Sequence, residues 1–501
     1  MRTKKSLLSF IVQNFRMITG ILVSFIAAPL LLKFVGEERF GTYRVLFDVY
    51  SYFGIIDVGI FGSMMLVLNK AIAKNDLKDK WATIYASKKI YYKLTFLSVL
   101  VFLGFIPFLN YFIPTETIPF QELLTSYLIM GMGIFFLTLK VNQAYLEANQ
   151  MGYLIGFGLT FQNLCYSVIA IFLGYLGYGL IGMTIGFAIG QLLPYFYYLY
   201  KFHKITPRTE DDISNALIDQ KKRDIWHIQW PVLLTSLTGR LSIYSDTIII
   251  SKFMSPLSVT AFFISQRVIS IAGNFLMGIS GSTWAAMGEL YNSNETEKFR
   301  DLFFRITKFI AVTSAIVAIP LILMSRSFVS LWVGEHLYVG DVFIIVAVIN
   351  LFIQSVLTFW GWCFTVTHKV HRLIKLQVVS TIVNIVSSIF FTIEYGHVGP
   401  ILGTLFSYFV IFIWWMMKHL EDVFNFKKNE LLLSFIPSLV YICAASVGGY
   451  YYIEYFNTST WTLFFIKSAL CFSVNFIICL ALLFSKEERS FFINRFKNIK
   501  K

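Results

Sequence analysis

Residues 7–34 read LLSFIVQNFRMITGILVSFIAAPLLLKF, and only Arg16 and Lys33 in that stretch are charged. A helix needs about 20 mostly apolar residues to cross the hydrocarbon of a bilayer, so this segment is long enough to span. It is too long for the apolar core of a cleavable signal, and it is expected to stay as a first span. A shift of 219 residues carries it onto a second apolar stretch, residues 228–253 (IQWPVLLTSLTGRLSIYSDTIIISKF). Gly20 then meets Gly239, and Lys33-Phe34 meets Lys252-Phe253. The register continues without a gap, placing Gly59 on Gly278 and Gly62-Ser63 on Gly281-Ser282. Further on, Asn75 falls on Asn294 and Leu154-Ile155 on Leu373-Ile374. The chain is therefore read as an internal repeat built of membrane helices.

Working outward with the same ruler, further spans fall near 42–70, 90–112, 121–147, 153–175 and 178–201, then at 257–290, 302–325, 340–367, 373–394, 398–419, 431–453 and 460–485. The fold class is all-α, a polytopic membrane protein of about fourteen helices. Six spans separate the repeats, so both copies have the same orientation, as in transporters whose two lobes are related by an axis along the membrane normal. The expected division is an N-terminal lobe over 1–202, a polar linker over 203–227 and a C-terminal lobe over 228–420. Residues 421–501 add spans thirteen and fourteen and a basic tail. Composition agrees: 57% of residues are hydrophobic and 14% charged, where a soluble domain carries about a quarter charged.

The net charge is +14. In a soluble chain that would suggest nucleic acid, but here it follows the positive-inside rule. One set of loops holds Lys70, Lys74, Lys78, Lys80, Lys88 and Lys89, then Lys201, Lys204, Arg208, Lys221, Lys222 and Arg223, with further clusters after spans eight, ten, twelve and fourteen. The opposite loops hold Lys33, Arg39, Lys252 and Arg326. Both termini are expected in the cytoplasm. The five cysteines lie in apolar runs without metal-ligand spacing, so they read as small core residues.

A charge in mid-bilayer costs about 2.5–3.5 kcal/mol on insertion scales, so it tends to face a cavity or a partner. The candidates are Arg16 in span one, Arg44, Asp48 and Asp57 in span two, Arg240 and Asp246 in span seven, and Arg267 in span eight. Each of these helices carries an arginine on a stripe of small or polar residues at i, i+3, i+4 steps, such as Ser236, Gly239, Arg240, Asp246 and Thr247. Such stripes also let membrane helices pack closely. Arg44 and Asp48, four apart, are placed to neutralise each other. Asp57 stands about 220° around an unbroken helix from Arg44, at about 100° per residue. Lys140 and Lys467 lie near span ends and can snorkel. Arg16, Arg240 and Arg267 have no acid three or four residues away on their own helix and are read as cavity cations. Arginine forks onto phosphate through two bonds, so such a cavity suits an anion.

Glu37-x-x-Phe40-Gly41-x-Tyr43, followed by Asp57-Val58-Gly59-Ile60 and Lys70-Ala71-Ile72-Ala73, resembles the opening of bacterial polysaccharide transporters. These are the Wzx-type repeat-unit flippases of O-antigen or capsule, in the MATE-like MOP superfamily that also holds lipid II flippases. The resemblance implies two lobes around a cationic cavity and transport of undecaprenyl-pyrophosphate-linked oligosaccharide across the bacterial cytoplasmic membrane by alternating access. In lipid II flippases, arginines of spans one, two and eight line that cavity, which Arg16, Arg44 and Arg267 match by span. Arg240 is added from its stripe. Asp48, Asp57 and Asp246 become candidates for ion coupling or charge pairing. The last two helices form a groove for the prenyl tail. Membrane lipids, a polysaccharide polymerase and chain-length machinery are the implied partners, with no nucleic acid.

A MATE-like multidrug antiporter is the alternative, although it is expected to have twelve spans and an acid-dominated cavity. A glycan polymerase or ligase needs a large external loop, and loops such as 174–178 and 394–397 are short. No P-loop, HExxH, GxSxG or CxxC motif is present, so no enzyme, metal or cofactor chemistry is expected. The topology is tested by cysteine labelling of intact cells. Cysteines replacing Lys221 and Lys369 are expected to react only after the membrane is permeabilised, and those replacing Thr115 and His397 from outside. Labelling of residue 397 from the inside alone would overturn the fourteen-span layout.

Overall fold

In lipid, backbone N–H and C=O groups find no water, so a span must satisfy them internally as a helix. The computed structural model describes residues 2–74, 76–206 and 213–484. Among them there are helices and no strand. Arg208, Asn75 and the basic tail lie outside the described residues. Eleven segments are long and apolar enough to cross a membrane. One of these, Val370–Phe424, is two passes: Ile374–Tyr395 and the stretch 399–424 meet at a turn where Gly396 has φ 59°. Two further passes complete the set. Span two is split by Gly54 into Glu37–Phe53 and Ile55–Ala73, and span seven, Asn215–Phe253, is polar over its first third. The described residues thus make fourteen helical passes of a multi-pass membrane protein.

The repeat is visible in the helix boundaries. A shift of 219 carries the outer limits of span two, Glu37 and Ala73, onto Pro256 and Asn292, the limits of span eight. It carries Gly179–Ile205, span six, onto 398–424, where span twelve runs from Gly399 to Phe424. Gly177, at φ 86°, falls on Gly396, so both copies turn between their last two helices at a residue in the left-handed region. A β-carbon there would crowd the following carbonyl. Gly54 falls on Gly273, yet only the first copy is broken, with the Gly54 N–H bonding to Ser51 O at 3.1 Å.

The chain forms two compact units, Met1–Thr260 and Ala261–Lys501. The division follows span seven, one helix later than the linker at 203–227. That linker is largely helical. Ser214 Oγ accepts the Leu217 N–H at 3.3 Å, and the 39-residue helix it caps continues into span seven. At about 1.5 Å per residue this rod is about 58 Å long, nearly twice the hydrocarbon thickness. In the first unit span one lies along span five, span five along span six, and span seven along spans two and three. In the second, spans eleven and twelve pair, and spans thirteen and fourteen pack on span nine. Asn475 of span fourteen donates to Ala315 O and Ile316 O of span nine at 3.0 and 2.7 Å.

The four cations of the sparser face are each compensated locally. Arg39 forks onto Glu122 at 2.8 and 3.0 Å, and Arg326 binds Glu335 at 2.8 Å. Lys252 stands 3.5 Å over the Tyr111 ring, and Lys33 lies over Phe34.

The glycines differ in how closely neighbouring helices approach them. A β-carbon at Gly190 would approach Gln162 O at 3.1 Å, and one at Gly403 would collide with Ser388. At Gly62, Gly239 and Gly278 it would meet nothing within 4 Å. Overpacking typically costs about 1–3 kcal/mol. Gly403→Val is therefore expected to lower the melting temperature of the purified protein by several degrees, while Gly278→Val leaves it within about a degree. Equal losses at both positions would mean that the stripes are packing seams.

Candidate functional site

Span two brings Arg44 and Asp48 to one face, one helical turn apart, and the structure joins them: Arg44 Nη2 donates to Asp48 Oδ1 at 2.8 Å. Asp48 is 1% exposed. Its other oxygen accepts the Thr247 hydroxyl of span seven at 2.6 Å. The Arg44 guanidinium also lies 5.0 Å from the Phe47 ring. Tyr52 and Tyr244 meet edge to face at 5.8 Å beside this pair, so the same two helices are joined by a ring contact as well. Asp246, next to Thr247, is buried within electrostatic reach of Asp48, and its Oδ1 has no hydrogen-bond partner among the described residues. Two carboxyls and one guanidinium make this cluster one positive charge short of neutrality.

The predicted residues separate into groups. Arg44, Asp48 and Asp246 come together, with Thr247, Tyr52 and Tyr244 added by the fold. Thr247 was visible in the span-seven stripe, but nothing in the sequence said which acid it would face. Arg16 is half-buried in span one, near the Tyr198 hydroxyl, and its Nε is buried without a hydrogen-bond partner among the described residues. Arg240 is half-buried in span seven one residue beyond the open Gly239, and no ion pair engages it among the described residues. Arg267 is half-buried in the second unit. Asp57 lies in the helix Ile55–Ala73, but its side chain is outside the described residues. The break at Gly54 also removes the unbroken helix on which its 220° offset was reckoned. Lys467 donates to Tyr455 O and Asn457 O at 2.9 and 3.2 Å, where it satisfies carbonyls at the end of span thirteen.

An apolar groove of about 170 Å³ lies in the second unit between spans eight, nine and fourteen, lined by Val268, Leu321, Phe328, Phe464 and Phe472. It involves span fourteen but no residue of span thirteen lines it.

Comparison with known structures fits this geometry. A lipid II flippase, MurJ, in an inward closed conformation superposes with a TM-score of 0.69 at 16% identity, covering 94% of this chain and 98% of that one. The chain has the MurJ- and MATE-type fold. An inward-facing multidrug resistance MATE family transporter of the MOP superfamily gives 0.65 at 14% identity, over 82% of this chain and 99% of that one. An outward-facing MATE structure gives 0.56 over 89% and 96%. The MatE family profile matches residues 231–390. No curated protein matches the chain in sequence.

Removing one partner of a buried ion pair typically costs about 3–5 kcal/mol, because the other charge stays buried alone. Arg44 keeps a quarter of its surface in contact with solvent, which places this pair at the low end. Asp48→Ala is expected to lower thermal stability more than Thr247→Val, which removes one hydrogen bond to a charged group, about 1.5–3 kcal/mol. The double variant Arg44→Met/Asp48→Leu is expected to recover most of the loss. If Asp48→Ala alone is neutral in a melting assay, the cluster does not hold span seven in place.

Proposed function

We propose that the chain is a flippase, not an enzyme, moving undecaprenyl-pyrophosphate-linked oligosaccharide repeat units from the cytoplasmic to the outer leaflet of a bacterial cytoplasmic membrane. It works by alternating access around a cationic cavity, with both termini in the cytoplasm. The observation that carries this reading is the state of its arginines. Arg16 and Arg240 sit inside their spans, half-buried, without a carboxylate partner among the described residues. Gly239, beside Arg240, opens onto empty space rather than onto a neighbouring helix. A pyrophosphate group cannot cross hydrocarbon of about 30 Å unpaired, and guanidinium groups offer it two-bond forks. Arg267, half-buried in span eight, is a further candidate headgroup contact, and Arg44 is paired with Asp48. Asp48 and Asp246 are the coupling groups, since their cluster takes up one proton or cation.

One observation favours a second reading, an ion-coupled drug antiporter. The two buried acids of the first unit would suit a cationic cargo, and MATE transporters share the fold. The arginines decide between the two. Arg16→Ala, Arg240→Ala and Arg267→Ala are each expected to abolish surface glycan in a flippase-null strain at unchanged membrane abundance. Loss of one desolvated charge contact, about 3 kcal/mol or more, slows transport at least a hundredfold. Arg→Lys is expected to restore part of the export, since a point charge replaces a fork. Normal export by all three alanine variants would remove the cationic-cavity mechanism. Sensitivity to cationic drugs changing in parallel with Asp246→Asn, with no glycan defect in any variant, would favour the antiporter.

A further inference from the structure

A cavity of about 1050 Å³ opens in the first unit where one end of spans two and three meets the polar first third of span seven. Six cations line it: Lys70, Lys89, Lys93, Lys221, Lys222 and Arg223, against one acid, Asp224. Two of the six are compensated from outside the wall, Lys221 by Asp79 and Lys222 by Asp219, both at 2.6 Å. Lys70, Lys89, Lys93 and Arg223 form no salt bridge among the described residues. Their field is felt at its rim. The Asp219 carboxyl is held below its usual range first by its hydrogen bond to Lys222, with the charges of Lys89 and Arg223 adding to the effect. The positive-inside rule requires cations on this face, but it does not require three helices to bring them into one cleft.

The wall is also amphipathic. Along span three, Lys89 and Lys93 make one row four residues apart, and Ile90 and Leu94 make an apolar row beside it. Span two repeats the pairing with Val67 and Lys70. Trp226 lines the same cleft and Trp230 follows one turn further along span seven; both are about half exposed. Indole rings concentrate at the headgroup level of a bilayer, which marks the depth of the cleft. A soluble anion would have no use for the apolar row. A lipid would use both, with its phosphate on the lysines and its chain along Ile90 and Leu94.

We propose that this cleft binds the phosphate headgroup of an anionic lipid, seated at the membrane face where the loop cations gather. The site holds whether or not the cargo is a prenyl-linked glycan. It is tested on the purified full-length protein by native mass spectrometry and by titration with three probes: dioctanoyl phosphatidylglycerol, dioctanoyl phosphatidylcholine and inorganic pyrophosphate. Phosphatidylglycerol is expected to bind, and to bind at least tenfold more weakly to Lys89→Gln/Lys93→Gln, whose side chains are exposed and whose loss leaves the melting temperature unchanged. A control on the same face but outside the cleft, Lys201→Gln/Lys204→Gln, is expected to change binding less than twofold. Equal binding of phosphatidylglycerol and phosphatidylcholine, or an equal loss in the control, would overturn the site. Pyrophosphate binding as tightly as phosphatidylglycerol would overturn the lipid and assign the cleft to a soluble anion.

Discussion

An ionised carboxylate buried away from water needs a partner of opposite charge or a hydrogen-bond donor, and Asp48 has both. Arg44 supplies the charge from the same helix, and Thr247 supplies a hydrogen bond from span seven. That second bond joins helices nearly two hundred residues apart. It ties span seven to span two, and the same continuous helix from Asn215 to Phe253 carries residues 221–228 into the basic cleft, where Lys221 is tied to Asp79. A rod that slid by one turn, about 5.4 Å, would move Lys221 and Arg223 past Lys89 and Lys93.

The same pair accounts for span seven belonging to the first compact unit. Sequence similarity groups span seven with the second repeat, because its register matches span one. Packing groups it with the first, because its buried polar residues, Asp246 and Thr247, face span two. The two criteria measure different things, ancestry of the segment and location of its interactions, and a helix tied by buried charge follows the interactions.

The spans were legible because hydrophobic length is a coarse signal that survives any detail of packing. The repeat was legible because a shift of 219 aligns Gly20 with Gly239 and Gly62-Ser63 with Gly281-Ser282 without a gap, and the structure adds Gly177 and Gly396, both at positive φ, in the same register. The i, i+4 pairing of Arg44 with Asp48 was legible for the same reason: it is local. What escaped was non-local or conformationally weak. Gly54 breaks span two, but Gly273 at the matching place leaves span eight continuous, so the residue type alone does not decide. Residues 215–227 read as a linker because they are polar. Polarity excludes membrane burial but not helix, and Ser214 provides the cap. The cleft cations were all counted as markers of sidedness, since nothing along the chain says that Lys70, Lys89 and Lys221 share a wall.

The division of labour between the two basic side chains follows from their hydration. The half-buried intramembrane cations in spans one, two, seven and eight are arginines, whereas the cleft at the membrane face is lined by five lysines and one arginine. Guanidinium is weakly hydrated and keeps its charge when desolvated, so it can stand inside a span and meet phosphate by two parallel bonds. Ammonium is strongly hydrated and sits on a flexible stem, so it stays where water reaches it and holds an anion without a fixed geometry. A phosphate group passing from lysines to arginines would exchange loose, hydrated contacts for directional, dehydrated ones as it left the aqueous face. Under the proposed flippase reading, the gain in bond directionality would offset the loss of hydration step by step, and no single step would have to supply the whole desolvation cost of the headgroup.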